Sequence, residues 1–193
     1  MKRFVCLLIL ISTVLIACNQ TTQEKGENLD SQEPNHEKVN SMINKNVIVD
    51  LKNSDGEIVA NASLVESKSG GVTISIKGEN LPSGGHGFHI HENGSCTAPT
   101  FESAGAHFNP TGKKHGFDNS EGPHAGDLNN INVGANGNLS TEVTADMVTL
   151  EKGKETSLLK EGGTSLVIHS DPDDYVSQPA GNAGDRIACG VIK

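Results

Sequence analysis

From residue 46 onward, apolar and polar side chains alternate in short runs. The clearest is Val72-Thr73-Ile74-Ser75-Ile76. A period of two puts its apolar side chains on one face of a half-buried strand. Similar runs predict strands over 46–51, 58–65, 138–143, 164–169 and 186–192, with His89-Ile90-His91 on another. Turn formers recur between them, at Ser54-Asp55-Gly56, Ser69-Gly70-Gly71, Pro82-Ser83-Gly84-Gly85, Asn93-Gly94 and Asn136-Gly137. Short strands at a spacing of about 8–12 residues predict an all-β sandwich or barrel. Two stretches break the alternation, 92–127 and 170–185, both rich in Gly, Pro, Asp and Asn. Loops beyond about 12–15 residues in a compact domain are usually functional or disordered. The unusual side chains gather here, so both are predicted to be functional loops.

Composition adds two constraints. There are five Phe, one Tyr and no Trp, against 22 Gly. The core must therefore be built from Val, Ile, Leu and Ala, with many turns between strands. A net charge of −9 and an isoelectric point near 5.3 exclude the basic face that nucleic-acid binding requires. They equally exclude adhesion to anionic lipid through charge.

The N-terminus predicts export. Lys2 and Arg3 precede the 14-residue, mostly apolar run from Phe4 to Ala17. That run is too short to span a bilayer, which takes about 20 residues, and fits a signal peptide over 1–17. Leu15-Ile16-Ala17-Cys18 resembles a bacterial lipobox, which implies cleavage before Cys18 and lipid on that thiol. Loss of Lys2 and Arg3 would leave 13 basic and 24 acidic side chains, a net charge of −11. Residues 18–40 are polar and acidic and predict a disordered tether, leaving 41–193 as the folded domain. Once Cys6 leaves with the signal and Cys18 is lipidated, Cys96 and Cys189 remain as candidates for a disulfide.

Histidine carries the chemical signal. On a strand, His89 and His91 share one face with Ile90 on the other, and His86 has the opposite parity. Such a pair alone serves equally well as a polar solvent face. His107, His115, His124 and Asp127 form a second group within one glycine-rich loop. Three imidazoles and a carboxylate suffice for tetrahedral zinc.

Several blocks, in the same order, resemble the copper/zinc superoxide dismutase family. They are the segment from His86 to Cys96 (HGFHIHENGSC), Ala104 to Pro110 (AGAHFNP), His115-Gly116, and His124 to Leu128 (HAGDL). Val167-Ile168-His169 with Asp173-Asp174, and Gly181 to Gly190 (GNAGDRIACG), complete them. The resemblance covers roughly 46–192 and implies an eight-stranded Greek-key β-barrel with two long functional loops. It implies copper on His89, His91, His107 and His169, and zinc on His107, His115, His124 and Asp127, with His107 bridging as an imidazolate. It further implies a Cys96–Cys189 disulfide, Arg186 as the guide for the anion, Asp173 as an outer carboxylate joining a copper His to a zinc His, and His86 as a structural residue.

The implied reaction is dismutation of superoxide to dioxygen and hydrogen peroxide by alternate reduction and oxidation of copper. In that cycle His107 leaves copper, takes a proton and later returns it. The alternative is an envelope module that binds copper or zinc without turnover. The implied partners are superoxide and a membrane reached through lipid on Cys18. Nucleic acid is excluded, and a homodimer stays open. The implied location is extracytoplasmic, on the bacterial cell membrane. One departure stands out. The loop before Arg186 is short, and Arg186 is its lone cation among Asp171, Asp173, Asp174 and Asp185.

Overall fold

A computed structural model describes residues 46–193. The expected signal peptide, the tether, Cys18 and the first residues of the domain lie outside the described residues. Nine strands are present among those described: β1 Asn46–Lys52, β2 Ile58–Glu66, β3 Val72–Gly78, β4 Gly84–His86, β5 Phe88–His91, β6 Ile131–Val133, β7 Leu139–Ala145, β8 Thr164–His169 and β9 Arg186–Ile192. A 3-10 turn, Glu102–Ala104, is their one helical element. No helix among the described residues is long and apolar enough to cross a membrane.

Seven strands form one sheet in the order β5-β8-β9-β1-β2-β3-β7, and β4 pairs with β6. The pairings within each sheet are antiparallel. Neighbours such as β3 and β7, or β5 and β8, are distant in sequence, as Greek-key crossovers require. β4 and β5 are separated only by Gly87, whose backbone bonds to Asp171 and His169 at 2.8 Å each. Counted as one broken strand, they bring the nine to eight.

The alternation read from the sequence is the packing rule of the sheet. Val72, Ile74 and Ile76 are fully buried, whereas Ser75 and Lys77 are exposed. Ile74 stands opposite Leu64 on β2 and Val143 on β7, so one apolar row crosses three strands. Each fully buried aliphatic side chain contributes about 1.5–3 kcal/mol. β8 is buried along its whole length, on both faces. The core thus fills one side of β8, and the long loops cover the other.

The sequence pattern marks two long connections, and the structure has a third, 146–163. Val148, Leu150, Leu158 and Leu159 on it are buried in the core. Glu66 secures it, accepting bonds from Thr149 Oγ1 and the Leu150 N–H at 2.6 Å each. The sequence pattern leaves this stretch unassigned between the strands predicted at 138–143 and 164–169.

Cys96 and Cys189 form a disulfide, with Cα atoms 5.6 Å apart and 93 positions between them in sequence. It ties the loop after β5 to β9 over a small cluster of Phe101, Ala104 and Val167. A closure of that length is expected to contribute about 4–5 kcal/mol. Urea unfolding with and without reductant measures this. A difference under about 1 kcal/mol would contradict the assignment of a stabilising cross-link.

Candidate metal centre

β5 sends Ile90 into the core and both His89 and His91 to the opposite side, all three buried. The first long loop then returns along β5. His89 bridges to Asp127 and His91 to His107. The Ile90 N–H donates to Gly126 O and the Phe108 N–H to Ile90 O, each at 2.8 Å. A Cβ on Gly126 would collide with the Ile90 carbonyl, so glycine is what lets the loop lie this close. His169, at the end of β8, joins from the neighbouring strand.

Two quartets result: His89, His91, His107 and His169, and His107, His115, His124 and Asp127. In each, one ligand atom per residue lies within 4.8 Å of all the others. His107 belongs to both. In the second quartet three Nδ1 atoms converge on the Asp127 carboxylate, at 2.8 Å from His107, 3.1 Å from His115 and 3.2 Å from His124. Asp127 Oδ2 is held from behind by the N–H groups of Gly116 and His124, each at 2.9 Å.

The second long loop positions these rings. Asp173 accepts from His89 Nε2 at 2.8 Å and from His115 Nε2 at 3.0 Å. One buried carboxylate thereby joins the two quartets and turns the Nδ1 of both rings inward. Asp173 is itself gripped by Asn130, whose amide exchanges two bonds, of 2.8 and 2.9 Å, with its backbone. Gly181, at φ +69°, runs directly against the Asp173 carboxylate and His115 Nε2, leaving no room for a side chain.

Arg186 opens β9, opposite His169 in the register. Its guanidinium donates from Nη1 to Phe101 O and from Nη2 to Gly105 O, both at 2.7 Å. Gly105 O also accepts from His91 Nδ1 at 2.9 Å. One carbonyl thus fixes both the cation and a ring of the first quartet. His86 stands apart, with its ring nitrogens 2.7 and 2.8 Å from the carbonyls of His169 and Pro82.

Residues 54–192 match the family model of copper/zinc superoxide dismutase. The chain belongs to that family. A Cu-Zn superoxide dismutase 2 of Aquifex aeolicus (strain VF5) is 57% identical over 145 residues, covering 75% of this chain and 84% of that protein. Among solved structures, a double mutant of a SOD-like protein from Bacillus subtilis aligns with a TM-score of 0.73 and 46% identity, covering 75% of this chain and 95% of that one. The Cu/Zn superoxide dismutase from Brucella abortus aligns with a TM-score of 0.63 and 29% identity, covering 77% and 100%. The antiparallel sheets and their long loops are thus the copper/zinc superoxide dismutase fold.

The donor chemistry fits the family's two metals. His89 Nδ1, His107 Nε2 and His115 Nδ1 are buried and make no hydrogen bond. Buried polar atoms without partners are rare and call for an explanation. Each of these faces into a quartet, where a cation would satisfy it. His91 Nε2 and His169 Nε2 lie 3.3 Å apart. Their Nδ1 atoms point at the carbonyls of Gly105 and Gly184, so in the neutral tautomers two lone pairs face each other. A metal ion relieves that opposition. The all-imidazole quartet suits copper in either oxidation state, and the carboxylate-bearing one suits zinc.

In the first quartet, charge supports the same assignment. Burial, with the neighbouring His107 and His169 and with Arg186, pushes His91 down to about 2. Burial lowers His169 to about 3 and His107 to about 4, the latter despite its bond to Asp127. These rings are neutral at physiological pH and keep lone pairs for metal. Burial also opposes charge on His115, but its contacts with Asp127 and Asp173 outweigh that and lift it to about 9, so that taking up zinc there would release a proton. The same contacts hold both carboxyls far below the usual carboxylate range, against burial. Burial lowers Arg186 as well.

Sequence reasoning names both quartets, Asp173 and Arg186. It misses the Gly105 carbonyl, Gly181, Asn130 and Gln178, which hold other residues in place. Glycine at an awkward φ was the one signal available for any of them.

For the metal-free protein, stability is expected to peak near pH 6.5. Below that, the unfolded chain protonates its histidines at about 6.5, while folded His91, His107 and His169 resist to about 2, 4 and 3. Stability is therefore lost as pH falls, by up to about 1.4 kcal/mol per pH unit for each ring. Above pH 6.5, the contribution of His115 is lost as pH rises through about 9. Urea midpoints between pH 4 and 10 test this, and a flat acid limb would contradict it.

Proposed function

We propose that this chain converts two superoxide anions and two protons to dioxygen and hydrogen peroxide at the paired quartets. The observation that carries this is His107, a buried ring shared by two complete ligand sets in a member of this family. Copper in the first quartet supplies a one-electron couple, and zinc in the second, which has no redox chemistry, supplies fixed positive charge.

The residues divide the remaining work. His89, His91, His107 and His169 hold copper. His107 Nδ1, His115, His124 and Asp127 hold zinc. His107 Nε2 is the atom that takes a proton in one half of the cycle and releases it in the other. Asp173 keeps the rings of His89 and His115 turned toward the metals. Arg186, restrained by two carbonyls, presents its remaining N–H groups to the anion. Its positive charge beside the copper quartet attracts superoxide locally, although the protein as a whole is acidic.

A complete copper quartet together with Arg186 favours turnover over simple metal binding. Elemental analysis of the reconstituted protein with a superoxide-consumption assay separates the two. One copper and one zinc per chain with catalytic consumption is expected. Both metals bound without consumption would establish the binding module instead. Arg186→Ala is expected to lower the rate by about tenfold with both metals retained, and Arg186→Glu further. Undiminished activity in a fully loaded Arg186→Glu enzyme would refute the guiding role.

The reading extends to location. Lipid on Cys18 anchors the domain at the outer face of the bacterial cell membrane, with 18–40 as its tether. What supports this is the basic, apolar and Leu-Ile-Ala-Cys order of residues 1–18. Cys18→Ala should abolish lipid labelling and membrane fractionation. Unchanged membrane association would defeat the proposal. A single acyl chain binds marginally, so stable anchoring calls for more than one chain.

A further inference from the structure

His115 belongs to the first loop, yet the second loop holds most of its polar atoms. Its Nε2 donates to Asp173 Oδ1 at 3.0 Å. Its backbone N–H donates to Gln178 Oε1 at 3.0 Å, and its carbonyl accepts from Gln178 Nε2 at 2.9 Å. Nδ1 alone is left without a hydrogen bond, and it faces the second quartet. The second loop supplies no member of that quartet, and still determines where one member stands.

The Gln178 amide is matched to this task. One side-chain amide presents one acceptor and one donor group, and here they meet the complementary groups of a single residue. A third bond, from Nε2 to Val176 O at 3.1 Å, fixes the amide within its own loop. Asn130 makes the reciprocal contact, gripping the backbone of Asp173 from the other side. Gln178 is exposed and contributes nothing to the core, so its role is in these bonds.

We propose that Gln178 is a positioning residue for zinc, setting the affinity of the second quartet by fixing the backbone of His115. This rests on the ligand assignment of the preceding section. Partners of this kind, one step outside the ligands, typically change metal affinity by about 10–100-fold when removed. An exposed amide belongs at the lower end, near about tenfold.

The test uses the full-length protein and zinc itself, with affinity measured by competition against a chromogenic chelator. Gln178→Ala removes the amide. Gln178→Met keeps its length and bulk but neither bond. His115→Ala reports whether zinc occupies the quartet at all. Copper affinity is measured on every variant, and cobalt(II) absorption reads the geometry of the zinc site without relying on activity.

Support is an approximately tenfold loss of zinc affinity in both Gln178 variants, with altered cobalt absorption and copper affinity within about twofold of wild type. Wild-type zinc affinity in Gln178→Met overturns the proposal, because the hydrogen bonds would then be dispensable. Equal losses of zinc and copper overturn it too, since the effect would be general loosening. If His115→Ala leaves zinc affinity untouched, the ligand assignment itself has failed, a result distinct from either.

Discussion

The buried Asp173 carboxylate decides what the surrounding histidines can do. A neutral imidazole carries one donor and one acceptor nitrogen, and a partner on one side determines what the other side offers. By accepting from Nε2 of both His89 and His115, Asp173 leaves their Nδ1 atoms aimed into adjoining quartets. The same oxygens lie in the second loop, so the orientation of both rings depends on that loop holding its course. Asn130 and Gly181 serve that course, one by gripping the Asp173 backbone and the other by leaving room beside it.

Electrostatics sets the second constraint. The chain is acidic, and its substrate is an anion. The favourable field must therefore be local and well anchored, because distant like charges oppose it and salt screens beyond about 10 Å at 0.1 M. The two carbonyls on Arg186 provide the anchoring. Sharing the Gly105 carbonyl with His91 places that cation at a set position relative to the all-imidazole quartet.

Much of this was legible in the sequence, for definable reasons. A strand with one core face writes a period of two, which located β3 at 72–76 and put His89 and His91 on a common side. β4 and β6 are three residues each, too short to write any period. Chemically scarce residues in ordered blocks exposed the quartets. The amides escaped notice because Asn and Gln are ordinary in loops, and nothing local distinguishes these two. Their meaning comes from partners 43 and 63 positions away, which only folding brings near. The loop 146–163 stayed unassigned because its scattered apolar positions write neither a strand period nor a motif.

The two quartets differ in what must come apart to empty them. His89, His91 and His169 sit on β5 and β8, strands hydrogen-bonded to each other and buried along their whole length. His115, His124 and Asp127 lie within a single connection and are steadied by another. Proteins open locally at free energies far below that of global unfolding, and loops open before paired core strands. Three of the four rings in the all-imidazole quartet are therefore held until the sheet parts, whereas three of the four members of its neighbour belong to the loop alone. The shared ring, His107, stands on the loop yet is bridged to His91 of β5, at the boundary between the two.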